Sequence, residues 1–193
     1  MFGTRIVIAD ADAGYRKKLK ETLVHAGYLV TAEVGDGRSA LKAIFQTEPD
    51  VVIMGTKLPG AQGLEIARII EEHRAAPVIL LTASHEQQLL EDAKSSWIFA
   101  YLVKPVSEAQ LFSAVEIALA NFRRFIKLEE ENKRLKKTLD ERKLIERAKG
   151  LVMEEKGLTE KDAYKYLQKI SMDNCVPIAS VARQVINHFN KKG

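Results

Sequence analysis

The chain carries a single cysteine, Cys175, among 193 residues. One thiol cannot build a disulfide framework, and it fits a reducing compartment. Long apolar runs are missing too, so no segment reaches the length that a membrane-spanning helix needs. Near the amino terminus only Ile6 to Ala9 is apolar, with Arg5 before it, which is too short for a secretory signal. The expectation is a cytoplasmic protein without a membrane partner. The 4 histidines are scattered and give no metal-ligand spacing. No nucleophile–base pair, phosphate-cradling loop or metal cluster stands out, so neither an enzyme nor a bound cofactor is expected. Finally, glycine and proline are absent from Glu108 to Arg147, which leaves nothing to interrupt a helix there.

What is present is unevenly distributed. Residues 1–121 hold 12 lysines and arginines against 15 acids, whereas residues 122–193 hold 18 against 11. An acidic front and a basic back imply different partners, and the basic part suits a polyanion.

The front alternates strand-like and helix-like segments. Strands are predicted at Ile6–Ala9, Leu29–Val34, Val51–Met54, Val78–Leu81 and Phe99–Val103. Helices are predicted at Tyr15–Val24, Ser39–Phe45, Leu64–Glu72, Gln87–Lys94 and from Glu108 onward. Continuous Val/Ile/Leu strands between helices argue a flavodoxin-like α/β domain, a doubly wound parallel five-stranded sheet covered on both faces. Such sheets place their functional crevice beyond the strand C-termini. Asp10 ends the first strand, Thr82 the fourth, and Lys104-Pro105 follows the fifth; Lys57-Leu58-Pro59-Gly60 and Gly63 follow the third.

On these residues the segment from 4 to about 121 resembles the receiver domain of two-component response regulators. The resemblance implies a phosphoacceptor aspartate at the end of the third strand, but that position is Gly55. It also implies two adjacent acids that help hold Mg²⁺, but here they read Asp10-Ala11-Asp12. Without a carboxylate at 55 no acyl phosphate can form there. With two of three carboxylates gone, Mg²⁺ binding should be weak or absent. Lys104 and Thr82, which the resemblance places on the phosphoryl group, remain, and Lys104 is expected to pair with Asp10 instead. Tyr101 matches the aromatic switch position, although plain packing would also explain a strand tyrosine. The reading is a pseudo-receiver (1–121) that works without phosphorylation, open to a regulatory protein partner. The alternative is phosphorylation of Asp10 or Asp12.

The last receiver helix is predicted to continue as a charged connector over 122–142. A heptad register puts Phe125, Asn132 and Leu139 at a, and Leu128 and Leu135 at d, before Arg142 breaks the seam. Asn at an a position can fix register and oligomeric state. A parallel coiled-coil homodimer is expected, in preference to a lone charged helix joining two domains.

Residues 143–193 read as three short helices. Apolar positions recur at Ala148, Leu151 and Val152, at Ala163, Tyr164, Leu167 and Ile170, and at Ile178, Val181, Ala182, Val185 and Ile186. Gly157 supplies a C-cap, and Thr159 with Asp162 a start resembling a capping box. With Ala148, Met153, Gly157, Leu158, Ala163, Leu167, Met172 and Ala182 in place, this unit resembles the ANTAR domain, the RNA-binding module of bacterial transcription antiterminators. The resemblance implies stem-loop RNA as partner and the prevention of a terminator hairpin as outcome. Candidate phosphate contacts are Lys143, Arg147, Lys149, Lys156, Lys161, Lys165, Lys169 and Arg183. Gln168 stands where the family often has arginine, so a charged contact is expected to have moved to Lys169. Tyr166 is the candidate for stacking on a loop base, and Tyr164 is read as core. The competing readings are a DNA-binding response regulator, although no arginine- or asparagine-rich recognition helix is visible, and a protein-interaction adaptor.

Overall fold

The computed structural model describes residues 3–83 and 97–190, which fall into two units, 1–126 and 127–193. The helix predicted over Gln87–Lys94 lies outside the described residues.

The first unit is built on five parallel strands: β1 (Arg5–Ala9), β2 (Leu29–Val34), β3 (Val51–Gly55), β6 (Val78–Thr82) and β7 (Ile98–Val103). Their order is β2-β1-β3-β6-β7, and a two-stranded hairpin, β4 (Lys57–Leu58) with β5 (Ala61–Gln62), follows β3. Because side chains alternate across a strand, the buried strands feed two cores at once. Ile6, Ile8, Val51, Ile53, Ile79 and Leu81 face one way, onto Leu19 and Leu23 of α1 (Ala13–His25) and Leu111, Val115 and Ala118 of α4 (Glu108–Lys156). Val7, Val52, Met54, Val78 and Leu80 face the other way, onto Ala40 and Ile44 of α2 (Gly37–Thr47) and Ile66, Ala67 and Ile70 of α3 (Gly63–Glu72). Central strands buried on both faces are why these runs read as continuously apolar.

Strand order reverses between β1 and β3, which opens a crevice at their C-terminal ends. The register sets Ala9 beside Met54, and so brings Asp10 level with Gly55. Thr82 pairs with Val103, and the Lys104 N–H donates to the Thr82 carbonyl at 2.8 Å.

Trp97 anchors the far edge of this unit. Its ring meets Phe99, Phe122 and Phe125 edge-on, with centroids 5.9, 5.6 and 4.9 Å away. Ile126 packs on the same core. The receiver unit therefore runs past residue 121 along α4, and Phe125 already has a partner within its own chain.

In the second unit the first predicted helix is not separate. It is the end of the 49-residue α4, since Gly150 leaves the helix unbroken and Gly157, at φ 63°, ends it. Thr159 caps α5 (Glu160–Asp173), accepting the Asp162 N–H at 3.3 Å and donating to its carboxylate at 2.7 Å. After a turn with Cys175 at φ 52°, α6 runs Ile178–Asn190. Ala148 and Val152 of α4, Ala163 and Leu167 of α5, and Val181, Ala182 and Ile186 of α6 form its core. The three alanines let the helix backbones approach closely.

Candidate functional site

Asp10 is the centre of the receiver crevice and is 3 % exposed. One of its carboxylate oxygens accepts the Asp12 N–H at 3.0 Å and the other accepts the Lys104 ammonium at 2.5 Å. The expected pairing of Lys104 with Asp10 is thus in place. The ammonium also lies 4.3 Å from the centroid of the Tyr15 ring. Burial pushes the Tyr15 hydroxyl above its ordinary pKa; the Val106 backbone opposes this, and the Asp10 carboxylate adds to it.

Gly55 matters through the space it leaves. A Cβ at this position would stand 2.9 Å from the Asp10 Oδ2. The Asp10 carboxylate therefore leans into the volume that any larger side chain at 55 would need. A second cation closes the crevice from the side. Arg16 donates to the carbonyl oxygens of Asp10 and Ala11, at 2.5 and 3.3 Å, and its Nε pairs with Glu33 at 3.4 Å. Neither Tyr15 nor Arg16 stood out in the sequence, because each reads as an ordinary first-turn helix residue.

Asp12 has a local role: its carboxylate accepts the Tyr15 N–H at 3.0 Å and so caps α1. Thr82 is buried at the end of β6, and Tyr101 is half-buried against the second core. These residues do not fit a Mg²⁺ ion. The crevice offers one buried carboxylate, Asp10, already neutralised by an ammonium, and a guanidinium covers the adjacent carbonyls. A hard divalent cation needs several oxygen ligands free to turn toward it. Among the described residues no cluster of three or more His, Cys, Asp or Glu has a geometry that could hold a metal.

Along the connector, Leu128, Leu135 and Leu139 are each more than half exposed and Asn132 is exposed. Phe125 differs, since its ring contacts Trp97.

In the helical unit Lys143, Arg147, Lys156, Lys161, Lys165, Lys169 and Arg183 are all exposed. Lys149 departs from the expectation of a phosphate contact. It is 8 % exposed, and its ammonium is held by Glu146 at 2.8 Å and Glu160 at 2.7 Å. Those bonds raise the Lys149 pKa and hold the Glu160 carboxyl below the usual carboxylate range. Helical spacing alone could not reveal this, because the turn after Gly157 is what brings Glu160 back onto α4. Tyr164, read as core, is 43 % exposed; Ala163 fills the buried position instead. Tyr166 is 37 % exposed, with the Lys156 ammonium 5.0 Å from its ring centroid.

A parallel sheet with Asp10, Thr82 and Lys104 at its C-terminal edge defines a receiver domain, and the response regulator receiver pattern matches residues 6–116. The ANTAR domain pattern matches residues 133–186. The chain is 40 % identical over 182 residues to the transcriptional regulatory protein PdtaR of Mycobacterium tuberculosis, covering 94 % of this chain and 89 % of that one. It therefore belongs to the response regulators that join a receiver domain to an ANTAR domain. A shorter match, 30 % identical over 115 residues, covers 60 % of this chain and 51 % of the DNA-binding response regulator MtrA of Mycobacterium leprae. Among solved structures, the receiver domain of a modulated diguanylate cyclase from Desulfovibrio desulfuricans superposes with a TM-score of 0.58 at 26 % identity, covering 62 % of this chain and 95 % of that one. No helix among the described residues is long and apolar enough to cross a membrane.

Proposed function

We propose that this protein is a transcription antitermination regulator that binds RNA stem-loops as a dimer, through a helical unit whose access to RNA is not gated by phosphorylation of its receiver. The observation that carries the RNA-binding part is the exposed cationic surface of an ANTAR-type unit in a segment with 18 basic residues against 11 acids. Lysines and arginines displayed around a small helical core serve as phosphate contacts. Lys143, Arg147, Lys165, Lys169 and Arg183 are assigned this role, and Lys149 is withdrawn from it. Phosphorylation independence is supported by the crevice, in which an Asp10 carboxylate oxygen stands 2.9 Å from where a Cβ at 55 would sit and Lys104 is already paired. Asp10 and Asp12 make poor alternative acceptors, since one is bound in an ion pair and the other caps α1. Dimerisation is supported by the exposed Leu128, Leu135 and Leu139.

A competition between hairpin RNA and duplex DNA of equal length, with and without a small-molecule phosphodonor, tests this function. Hairpins should win, and the donor should change nothing. Equal affinity for both nucleic acids would favour a DNA-binding regulator, and no affinity for either a protein-interaction adaptor. Light scattering tests the seam: the unmodified chain should be a dimer, and Leu135→Glu should shift it toward monomer, because it buries a charge at a d position.

A further inference from the structure

We infer that a cavity at the N-terminal end of the receiver sheet binds a free guanine mononucleotide. It lies at the opposite end of the sheet from Asp10, beside Arg5, the first residue of β1, and Asp50, which precedes β3. It is open and holds about 600 Å³, a size usual for small-molecule sites. Ile44 and Leu119 give it buried apolar walls. Phe45 and Phe122 add two rings, and both are held in place. Phe45 meets the His73 ring edge-on at 5.0 Å, and Phe122 meets Trp97 and Phe99 at 5.6 and 5.7 Å. The His73 ring is fixed in turn by its Nδ1, which donates to the Ile69 carbonyl at 2.9 Å. Apolar walls with preset rings suit a flat aromatic guest.

The charges on the wall narrow the guest further. Arg5 and Asp50 offset each other, paired at 3.7 Å, and Arg74 is engaged as well. Glu48 and Arg123 are exposed and have no ion-pair partner among the described residues. A carboxylate and a guanidinium that share one cavity without bridging it suit a guest with a donor edge at one end and an anion at the other. A guanine nucleotide has both. Its N1–H and N2–H donate side by side, which meets the two oxygens of a carboxylate, a group that only accepts. Adenine presents a bare N1 lone pair in the same place. The planar fork of Arg123 matches a phosphate.

The backbone is strained where it presents these turns. Glu48 ends α2 at φ 44° and ψ 63°, and Arg74 follows α3 at φ 50°. In this left-handed region glycine is the relaxed residue at a helix end. Two turns that keep a long side chain there line the same cavity, and strain retained around one cavity points to a use for those side chains.

The test titrates the full chain with guanosine monophosphate, adenosine monophosphate and guanosine. Trp97 is the single tryptophan and touches Phe122, so its fluorescence reports occupancy. Guanosine monophosphate should bind once per chain and change the emission. The other two should bind roughly tenfold more weakly or worse, since each loses one two-pronged contact. Arg123→Ala should lower the affinity for guanosine monophosphate to that for guanosine. Glu48→Gly should bind both monophosphates alike and at the same time raise the denaturant midpoint of the receiver. A gain in stability with a loss of recognition is an outcome that a purely structural Glu48 would not give. No binding of guanosine monophosphate, equal binding of adenosine monophosphate to the parent chain, or binding that survives both substitutions would overturn the site. None of these outcomes bears on RNA binding, which the hairpin competition decides.

Discussion

In the receiver, Lys104 and Arg16 point inward, onto the Asp10 carboxylate and the carbonyls of Asp10 and Ala11. In the helical unit, Lys143, Arg147, Lys165 and Lys169 stand in solvent. A cation already satisfied by a buried carboxylate has little left for an incoming phosphoryl group. A solvated lysine keeps its charge for a polyanion and loses only counterions when it binds one. The receiver thus keeps the framework of a phosphate site with its charge neutralised from within, while the output unit keeps its charge on display. Lys149 is the exception within the output unit: it follows the receiver's habit, and its ammonium is shared by two carboxylates.

The largest effect should come from breaking the inward pair. Lys104→Ala takes the ammonium from the buried Asp10 carboxylate, to which the Asp12 N–H still donates. Because the Lys104 side chain is 24 % exposed, water can replace part of the loss. The expected cost is about 2–3 kcal/mol, below the full range for a broken buried pair. It should appear as a lower denaturant midpoint of the receiver transition with an unchanged slope. An unchanged midpoint would mean that the pair contributes nothing. Gly55→Asp attacks the same contact from the other side. Its Cβ would fall 2.9 Å from the Asp10 oxygen that holds Lys104, so that contact must shift. This variant should be less stable than the parent and should gain almost no phosphoryl mass with Mg²⁺ and a phosphodonor. Stoichiometric labelling would show that Ala11 and Arg16 do not block the crevice.

The next effect separates the two kinds of lysine within one unit. Lys165→Ala should weaken hairpin binding and flatten the log–log salt dependence by about 0.7–0.9, the increment for one phosphate left unneutralised. Lys149→Ala should leave the salt dependence unchanged and instead lower the denaturant midpoint of the helical unit. A salt dependence that Lys149→Ala flattens as much as Lys165→Ala does would erase the distinction.

How much of this could be read from the sequence follows from the range of each interaction. The parallel sheet was legible because burial on both faces makes Val51–Met54 and Val78–Leu81 uniformly apolar. The residues at the strand ends were legible because Asp10, Thr82 and Lys104 are polar at the points where such runs stop. The Asp10–Lys104 pair, separated by 94 positions, needed only the topology to bring its partners together. What escaped depended on a helix side chain meeting another element. Arg16 reaches back onto the Asp10 carbonyl, Glu160 turns back onto Lys149, and Trp97 folds onto Phe125, all contacts that no periodicity encodes. The choice between Tyr164 and Tyr166 failed for a related reason: Ala163 holds the buried position, which rotates Tyr164 outward. Met172 follows the family pattern yet is 70 % exposed, so that pattern does not mark core residues alone.

The smallest effect concerns pH and belongs to the exception. Hydrogen bonding to Lys149 holds the Glu160 carboxyl below its ordinary value of 4.5. A group whose folded pKa is depressed adds stability that is complete above its unfolded value and is lost as pH falls through the folded one. Glu146 and Glu160 hold the Lys149 ammonium above its ordinary value of 10.5. That contribution is complete below 10.5 and is lost as pH rises through the raised value. The pair should therefore support the helical unit evenly across the neutral range and fade toward both extremes. The Glu160 side chain is 70 % exposed and that of Glu146 is 65 % exposed, so screening keeps the effect modest. Other carboxylates titrate as well, so the measurement must be a difference between the parent chain and Lys149→Met, which keeps most of the buried stem. The parent's advantage in denaturant midpoint should be constant near neutrality and shrink once the pH drops below 4.5. An advantage that stays constant into the acid range would place the stabilisation in the packing of the lysine stem and not in its charge.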